Sequence, residues 1–229
     1  MGDDLRPVRR ALVSVHDKTG IDVLASALLS KNADIFATDS TARHLGEHGL
    51  PTSSVADLTG FGSLLGGRVK TLHPKVFAGV LSRGEQDAAD LVSLGAPEFD
   101  LVVVNLYPFE QAANSRQTPK LEELIELIDI GGSALLRASA KNHRRVAVLS
   151  SPAQYPDAAA EIEKTGGTSL ATRERLALAA FAASARFEAT VHAALNRHLA
   201  AGERFPEVLT GPMERAGKLR YGENSHVRA

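Results

Sequence analysis

The sequence predicts a doubly wound, mainly parallel α/β sheet with a C-terminal helical layer. Three observations support this: short apolar runs alternate with helical patterns through the first 150 residues, one of those runs is apolar nearly throughout, and a long alanine-rich stretch follows. Ala11–Val15 opens as a β run. Asp17-Lys-Thr-Gly20 and the helical pattern Ile21–Leu29 come next. Asp34–Thr38 is a second strand, and Thr41–His48 is its helix, with Gly49 as the stop. Val76–Leu81 and Leu101–Leu106 are expected to be further strands with the helix Glu85–Leu94 between them, and Val146–Leu149 a late strand. The run Leu-Val-Val-Val-Asn-Leu at 101–106 suits a strand covered on both faces. Pro152–Lys164 and Ser169–Leu199 are helical, separated by Gly166-Gly167. Residues 1–200 are expected to form one α/β domain with its helical layer, and 201–229 a tail.

Composition narrows the function. A formal net charge of −1, no Trp and three Tyr offer neither a global pull toward nucleic acid or anionic membrane nor many stacking platforms. No apolar run approaches the roughly 20 residues that span a bilayer. The start Met1-Gly2-Asp3-Asp4 lacks a signal-like apolar stretch, so a cytoplasmic location is expected. The absence of Cys excludes disulfides and thiolate metal sites, and the eight scattered His suggest no metal centre. No GxxxxGK[ST] or GxGxxG loop is present. Anion binding, if any, must therefore come from a local pocket.

In open α/β sheets such pockets form where strand ends lead into helix N-termini. Ser14, His16, Lys18 and Thr19 follow the first strand, and Thr38, Asp39, Ser40 and Thr41 follow the second. Free backbone N–H groups and the helix dipole make each loop a phosphate cradle, unless Asp17, Thr19 and Ser40 are ordinary N-caps. Gly66-Gly67-Arg68-Val69-Lys70-Thr71-Leu72-His73-Pro74 adds two cations and a hydroxyl suited to phosphate. Asn105 and Tyr107 close the most apolar strand, where they could hydrogen-bond the edge of a heterocycle. Asp129 lies between Ile128 and Ile130 before Gly131-Gly132; a carboxylate there either caps the following helix or is a costly buried charge.

Taken together these segments resemble the IMP cyclohydrolase domain of the bifunctional purine-biosynthesis family. The resemblance rests on Ser14-Val-x-Asp-Lys-Thr-Gly20, Leu58-Thr-Gly-Phe61, Gly67-Arg-Val-Lys-Thr-Leu-His-Pro74, Val104-Asn-Leu-Tyr-Pro-Phe109, Ile128-Asp-Ile-Gly-Gly132, Ala140-Lys-Asn-His143 and Leu219-Arg-Tyr-Gly-Glu-Asn224. It implies a methylglyoxal-synthase-like fold and closure of 5-formamidoimidazole-4-carboxamide ribotide to IMP and water, without metal or organic cofactor. It further implies catalytic roles for Lys70, Tyr107, Asp129 and Lys141. Ser14, Lys18, Thr38, Ser40, Thr41, Arg68 and Thr71 would hold the phosphate, and His16, Asn105, Ile130 and Gly131 would complete the ribonucleotide site. Formyl transfer would be absent from this polypeptide. The expected partner is the small-molecule ribonucleotide; a homodimer and a separate formyltransferase are left open.

The sequence departs from the family at Asp39-Ser40, where two small residues are usual, and at His16, Phe77, Leu127 and Ser225. A carboxylate beside a phosphate cradle is repulsive unless it points away. Two other readings therefore stand beside the first: a paralogue closing a related ribotide ring, and a regulatory module that binds a phosphometabolite without chemistry. A direct Asp129–Lys141 pair is excluded if one straight helix joins them, because twelve residues of helix span about 18 Å.

Overall fold

A computed structural model describes residues 4–62, 64–116, 119–200, 207–211 and 213. In chain order its elements are β1 (Arg6–Pro7), β2 (Arg10–Val15), α1 (Ile21–Ser30), β3 (Asp34–Ala37), α2 (Asp39–Glu47), β4 (Ser53–Ser54), α3 (Val55–Thr59), α4 (Pro74–Leu81), α5 (Ala88–Leu94), β5 (Leu101–Asn105), α6 (Phe109–Ala113), α7 (Leu121–Glu126), α8 (Ile130–Lys141), β6 (Ala147–Leu149), α9 (Tyr155–Thr165), β7 (Gly167–Thr168) and α10 (Leu170–Leu199). Five strands form one sheet in the order β4-β3-β2-β5-β6, and every pairing in it is parallel. β1 and β7 make a separate antiparallel pair.

Strand alternation divides the core between two faces. Ala11, Val13 and Val15 of β2, with Leu101 and Val103 of β5, pack toward α1 and α9 through Leu24, Leu28 and Ile162. Leu12, Val102 and Val104 face the other way, toward Val76 and Val80 of α4, Leu135 and Leu136 of α8, and Ala177 and Ala180 of α10. All five residues of β5 are buried, as the unbroken apolar run requires of a strand with helices on both sides. A third cluster, Phe109, Leu124, Phe187 and Val191, fastens α6 and α7 to the far half of α10.

One expected strand is a helix. Val76–Leu81 belongs to α4, because Pro74 occupies the first helical turn and the His73 Nδ1 accepts from the Lys75 N–H at 3.2 Å. A six-residue apolar run carries no period that separates a buried helix from a strand. Gly79 lets this helix press on the chain beyond it: a Cβ there would lie 2.1 Å from the Pro97 carbonyl. The expected helix 85–94 divides into a 3-10 turn, Gly84–Asp87, and α5.

The N-terminal segment is held by a charge that composition did not reveal. Arg173 of α10 is fully buried, and its guanidinium donates to the carbonyls of Thr168 (2.5 Å), His143 (3.0 Å) and Asp4 (3.0 Å). Its charge is thereby spread over three fixed dipoles, with the Asp4 carboxylate at 3.7 Å. No helix among the described residues is long and apolar enough to cross a membrane. Most of the expected tail, including Leu219–Asn224 and Ser225, lies outside the described residues.

Candidate active site

Because the sheet is wholly parallel, the ends of β2, β3 and β5 open on the same edge, and a cavity of about 450 Å³ lies there. β2 delivers Ser14 and, just beyond it, His16 and Lys18; β3 delivers Thr38, followed by Ser40 in the first turn of α2. The Thr38 hydroxyl donates to Ser14 Oγ at 3.3 Å, so two hydroxyls from neighbouring strands stand side by side. Arg68, Lys70 and Thr71 enter from the loop before α4. Asn105 and Tyr107 come from the end of β5, and Asp129, Ile130 and Gly131 from the start of α8.

Asn105 shapes the first loop rather than simply facing the cavity. Its Oδ1 accepts from the backbone N–H of His16 (2.7 Å) and Asp17 (3.0 Å), and its Nδ2 donates to the Asp17 carbonyl (2.7 Å). The Tyr155 hydroxyl lies 3.4 Å from the same Nδ2, and burial pushes that phenol up to about 12. The Asp17 carboxylate accepts from the Thr19 N–H at 3.0 Å, a bond that lowers its pKa, and α1 begins without a side-chain cap. The capping alternative therefore fails for Thr19 and Ser40: α1 is entered through Gly20, and Ser40 sits inside α2.

Asp129 is both a cap and a cavity residue. Its Oδ1 accepts from the Gly132 N–H at 2.6 Å, which starts α8. Burial raises its pKa; the N–H groups of Gly132 and Tyr107 and the charges of His16 and Lys70 oppose the rise. Burial also raises the Tyr107 phenol, helped by the Asp129 charge. The His16 ring stands edge-on to Tyr107, with centroids 5.3 Å apart. His16 thus belongs with the carboxylate side of the cavity, not only with the anion side.

The two glycines after Ile130 lie close against side chains of the cavity. A Cβ on Gly131 would lie 3.1 Å from Thr71 Oγ1, and one on Gly132 would lie 2.3 Å from the Asp129 carboxylate. Asp39, the expected source of repulsion, is exposed and does not line the cavity. Phe77 and Leu127 pack against the second and third apolar clusters.

Two expected residues are not brought to this cavity. Thr41 is buried beneath it, its Oγ1 accepting from the Val15 N–H at 3.3 Å and lying 3.4 Å from the Val15 carbonyl. Lys141 is exposed at the far end of α8, an uninterrupted helix of 12 residues that holds it about 16–18 Å from Asp129 along the axis. The pairing of Asp129 with Lys141 is therefore absent within one chain. The sequence reading missed Glu126, a cavity-lining residue whose carboxylate accepts from the Arg68 guanidinium. Nothing in the sequence joins two residues 58 positions apart.

A cavity lined by hydroxyls, by Lys18, Arg68 and Lys70, and by a half-buried carboxylate with a phenol has the chemistry to take a small anionic molecule. Residues 20–134 match the MGS-like domain and residues 139–229 match the AICARFT/IMPCHase bienzyme, so the chain belongs to the MGS-like domain family and carries the bienzyme's signature behind that domain. It is 43% identical over 223 residues to the bifunctional purine biosynthesis protein PurH of Persephonella marina, 46% over 226 residues to that of Sorangium cellulosum and 45% over 234 residues to that of Corynebacterium glutamicum. These alignments cover 96–100% of the chain but only 43–44% of each relative, so the chain spans less than half the length of the curated relatives it matches. The crystal structure of ForH superposes with a TM-score of 0.73 at 36% identity, covering 82% of this chain and 99% of that one.

Proposed function

We propose that the chain is a purine-ribotide cyclohydrolase that converts 5-formamidoimidazole-4-carboxamide ribotide to IMP. The observation that carries this is the convergence of phosphate-gripping groups and an acid–base set in one cavity. Ser14, Thr38, Ser40, Lys18, Arg68 and Thr71 face the same space as Asp129, Tyr107 and Lys70. The PurH relatives and the AICARFT/IMPCHase match support the substrate class.

The reaction is a redox-neutral dehydration. The carboxamide nitrogen forms a bond to the formyl carbon, losing one proton while the formyl oxygen gains one. The former formamido N–H then loses its proton as the hydroxyl is protonated and departs as water. An amide is a weak nucleophile, so the site must hold the two groups at about 3–3.5 Å and move both protons. Binding energy at the remote phosphate is available for that orientation. Asp129, kept from full solvation and held by the Gly132 N–H, accepts the carboxamide proton. Lys70 stabilises the developing oxyanion and, with Tyr107, supplies the proton to the leaving hydroxyl. Lys141 takes no part in this scheme.

The test is to follow IMP formation by absorbance with pure protein and the formamido ribotide, without folate. Asp129→Asn and Lys70→Met are expected to lower turnover by about 10²–10⁴-fold while retaining IMP binding. Tight nucleotide binding by the wild-type protein without turnover refutes the enzyme reading and selects the regulatory one. Turnover of a related ribotide alone selects the paralogue.

A further inference from the structure

We infer that Glu126 is a specificity-determining residue: it pairs with Arg68 at the cavity, and an incoming phosphate dianion must displace it. The inference rests on the reading above that Arg68 grips the 5′-phosphate. Both side chains line the cavity. Arg68 follows the 3-10 turn Leu65–Gly67, and Glu126 is the last residue of α7. The Arg68 Nη2 donates to Glu126 Oε1, and this pair links the two segments.

The carriers of the pair are suited to exchange. Leu65, Gly66 and Gly67 all have positive φ (49°, 67° and 94°), an arrangement that lets Arg68 fold back over the cavity and that Leu65 adopts only under constraint. Around them Leu64, Leu65 and Ile125 are exposed, so no packed core fixes the Arg68 rotamer. The two charged side chains are themselves 65% and 62% exposed. An ion pair this open is weak and screened by salt, and can be broken by a better acceptor. A phosphate monoester is such an acceptor, because it carries up to two charges and can take both prongs of the guanidinium. A neutral nucleoside cannot compete for Arg68, so the Glu126 carboxylate discriminates by charge against ligands that only fill the base end. Arg68 is thereby kept from free anions that bind weakly, and is released to ligands whose other contacts hold the phosphate in place.

The probes are IMP and inosine, titrated calorimetrically into the wild-type chain, Glu126→Gln, Arg68→Gln and the double variant. Glu126→Gln keeps the side-chain shape and removes the competing charge. It is expected to tighten IMP by about two- to fivefold, the range an exposed ion pair sustains, with inosine unchanged. The gain should shrink as ionic strength rises and vanish in the Arg68→Gln background. Unchanged or weaker IMP binding overturns the inference, as does a gain that survives without Arg68. Turnover of the formamido ribotide with no Glu126 effect leaves the proposed reaction standing and sinks the exchange. Tighter IMP binding without turnover upholds the exchange and sinks the reaction.

Discussion

Gly132→Ala should separate the chemistry of the site from the stability of the fold. The added Cβ would meet Asp129 Oδ2 at 2.3 Å, Cγ at 2.7 Å and Oδ1 at 2.8 Å. Reaching ordinary contact near 3.4 Å moves the carboxylate by about 1 Å, and the 2.6 Å bond from the Gly132 N–H is lengthened or lost. The obstacle is a side-chain end, so the carboxylate yields before the backbone of α8 does. Helix propensity gains about 1 kcal/mol from Gly→Ala, and losing a cap costs about 1 kcal/mol, so the net stability change is near zero. Misplacing a reacting group by about 1 Å costs roughly 10²-fold in rate. The expectation is therefore a variant that melts within a few degrees of the wild type, binds IMP, and turns over about a hundredfold more slowly. IMP formation and thermal unfolding measured side by side decide it. Activity within threefold of wild type would show that the Asp129 position seen here is not the working one.

Arg173→Met removes three buried donations and leaves the carbonyls of Thr168, His143 and Asp4 unmet. A loss of about 3 kcal/mol or more is expected, read as a melting temperature lowered by roughly 6–12 °C. Asn105→Ala frees the 16–17 loop and should weaken IMP binding about tenfold by calorimetry. Because burial raises the Asp129 pKa, kcat/KM should fall on acidification at a pH above the ordinary Asp range, and Asp129→Asn should abolish that limb. A carboxyl whose folded pKa exceeds its unfolded one stabilises below the unfolded value and loses that contribution as pH rises through the folded one. Asp129→Asn should accordingly unfold at a higher temperature than wild type at pH 8, with the difference shrinking at pH 4.

The alternation of β2, β3 and β5 with helices was legible because a strand covered on both faces must be apolar almost without interruption, as 101–105 is. The site was legible for the same topological reason: residues following three parallel strands must meet on one edge, and Ser14, Thr38 and Asn105 do. Val76–Leu81 was misread because six apolar residues satisfy either element, and the deciding signal was Pro74 with His73 as its cap. Arg173 and Glu126 were invisible because their partners lie far away in sequence, the first in carbonyls of three separate segments and the second in a guanidinium. Lys141 was placed with Asp129 by resemblance; helix rise separates them.

The cavity draws on five separate stretches of chain between Ser14 and Gly132. Nucleotide should consequently recognise only the completed sheet, so that saturating IMP acts as a thermodynamic brace worth about 2.7 kcal/mol at a hundred times its dissociation constant. A lesion as distant as Arg173→Met would then surface in an assay as a shortage of competent molecules that nucleotide can replenish, leaving the rate constant of the survivors untouched.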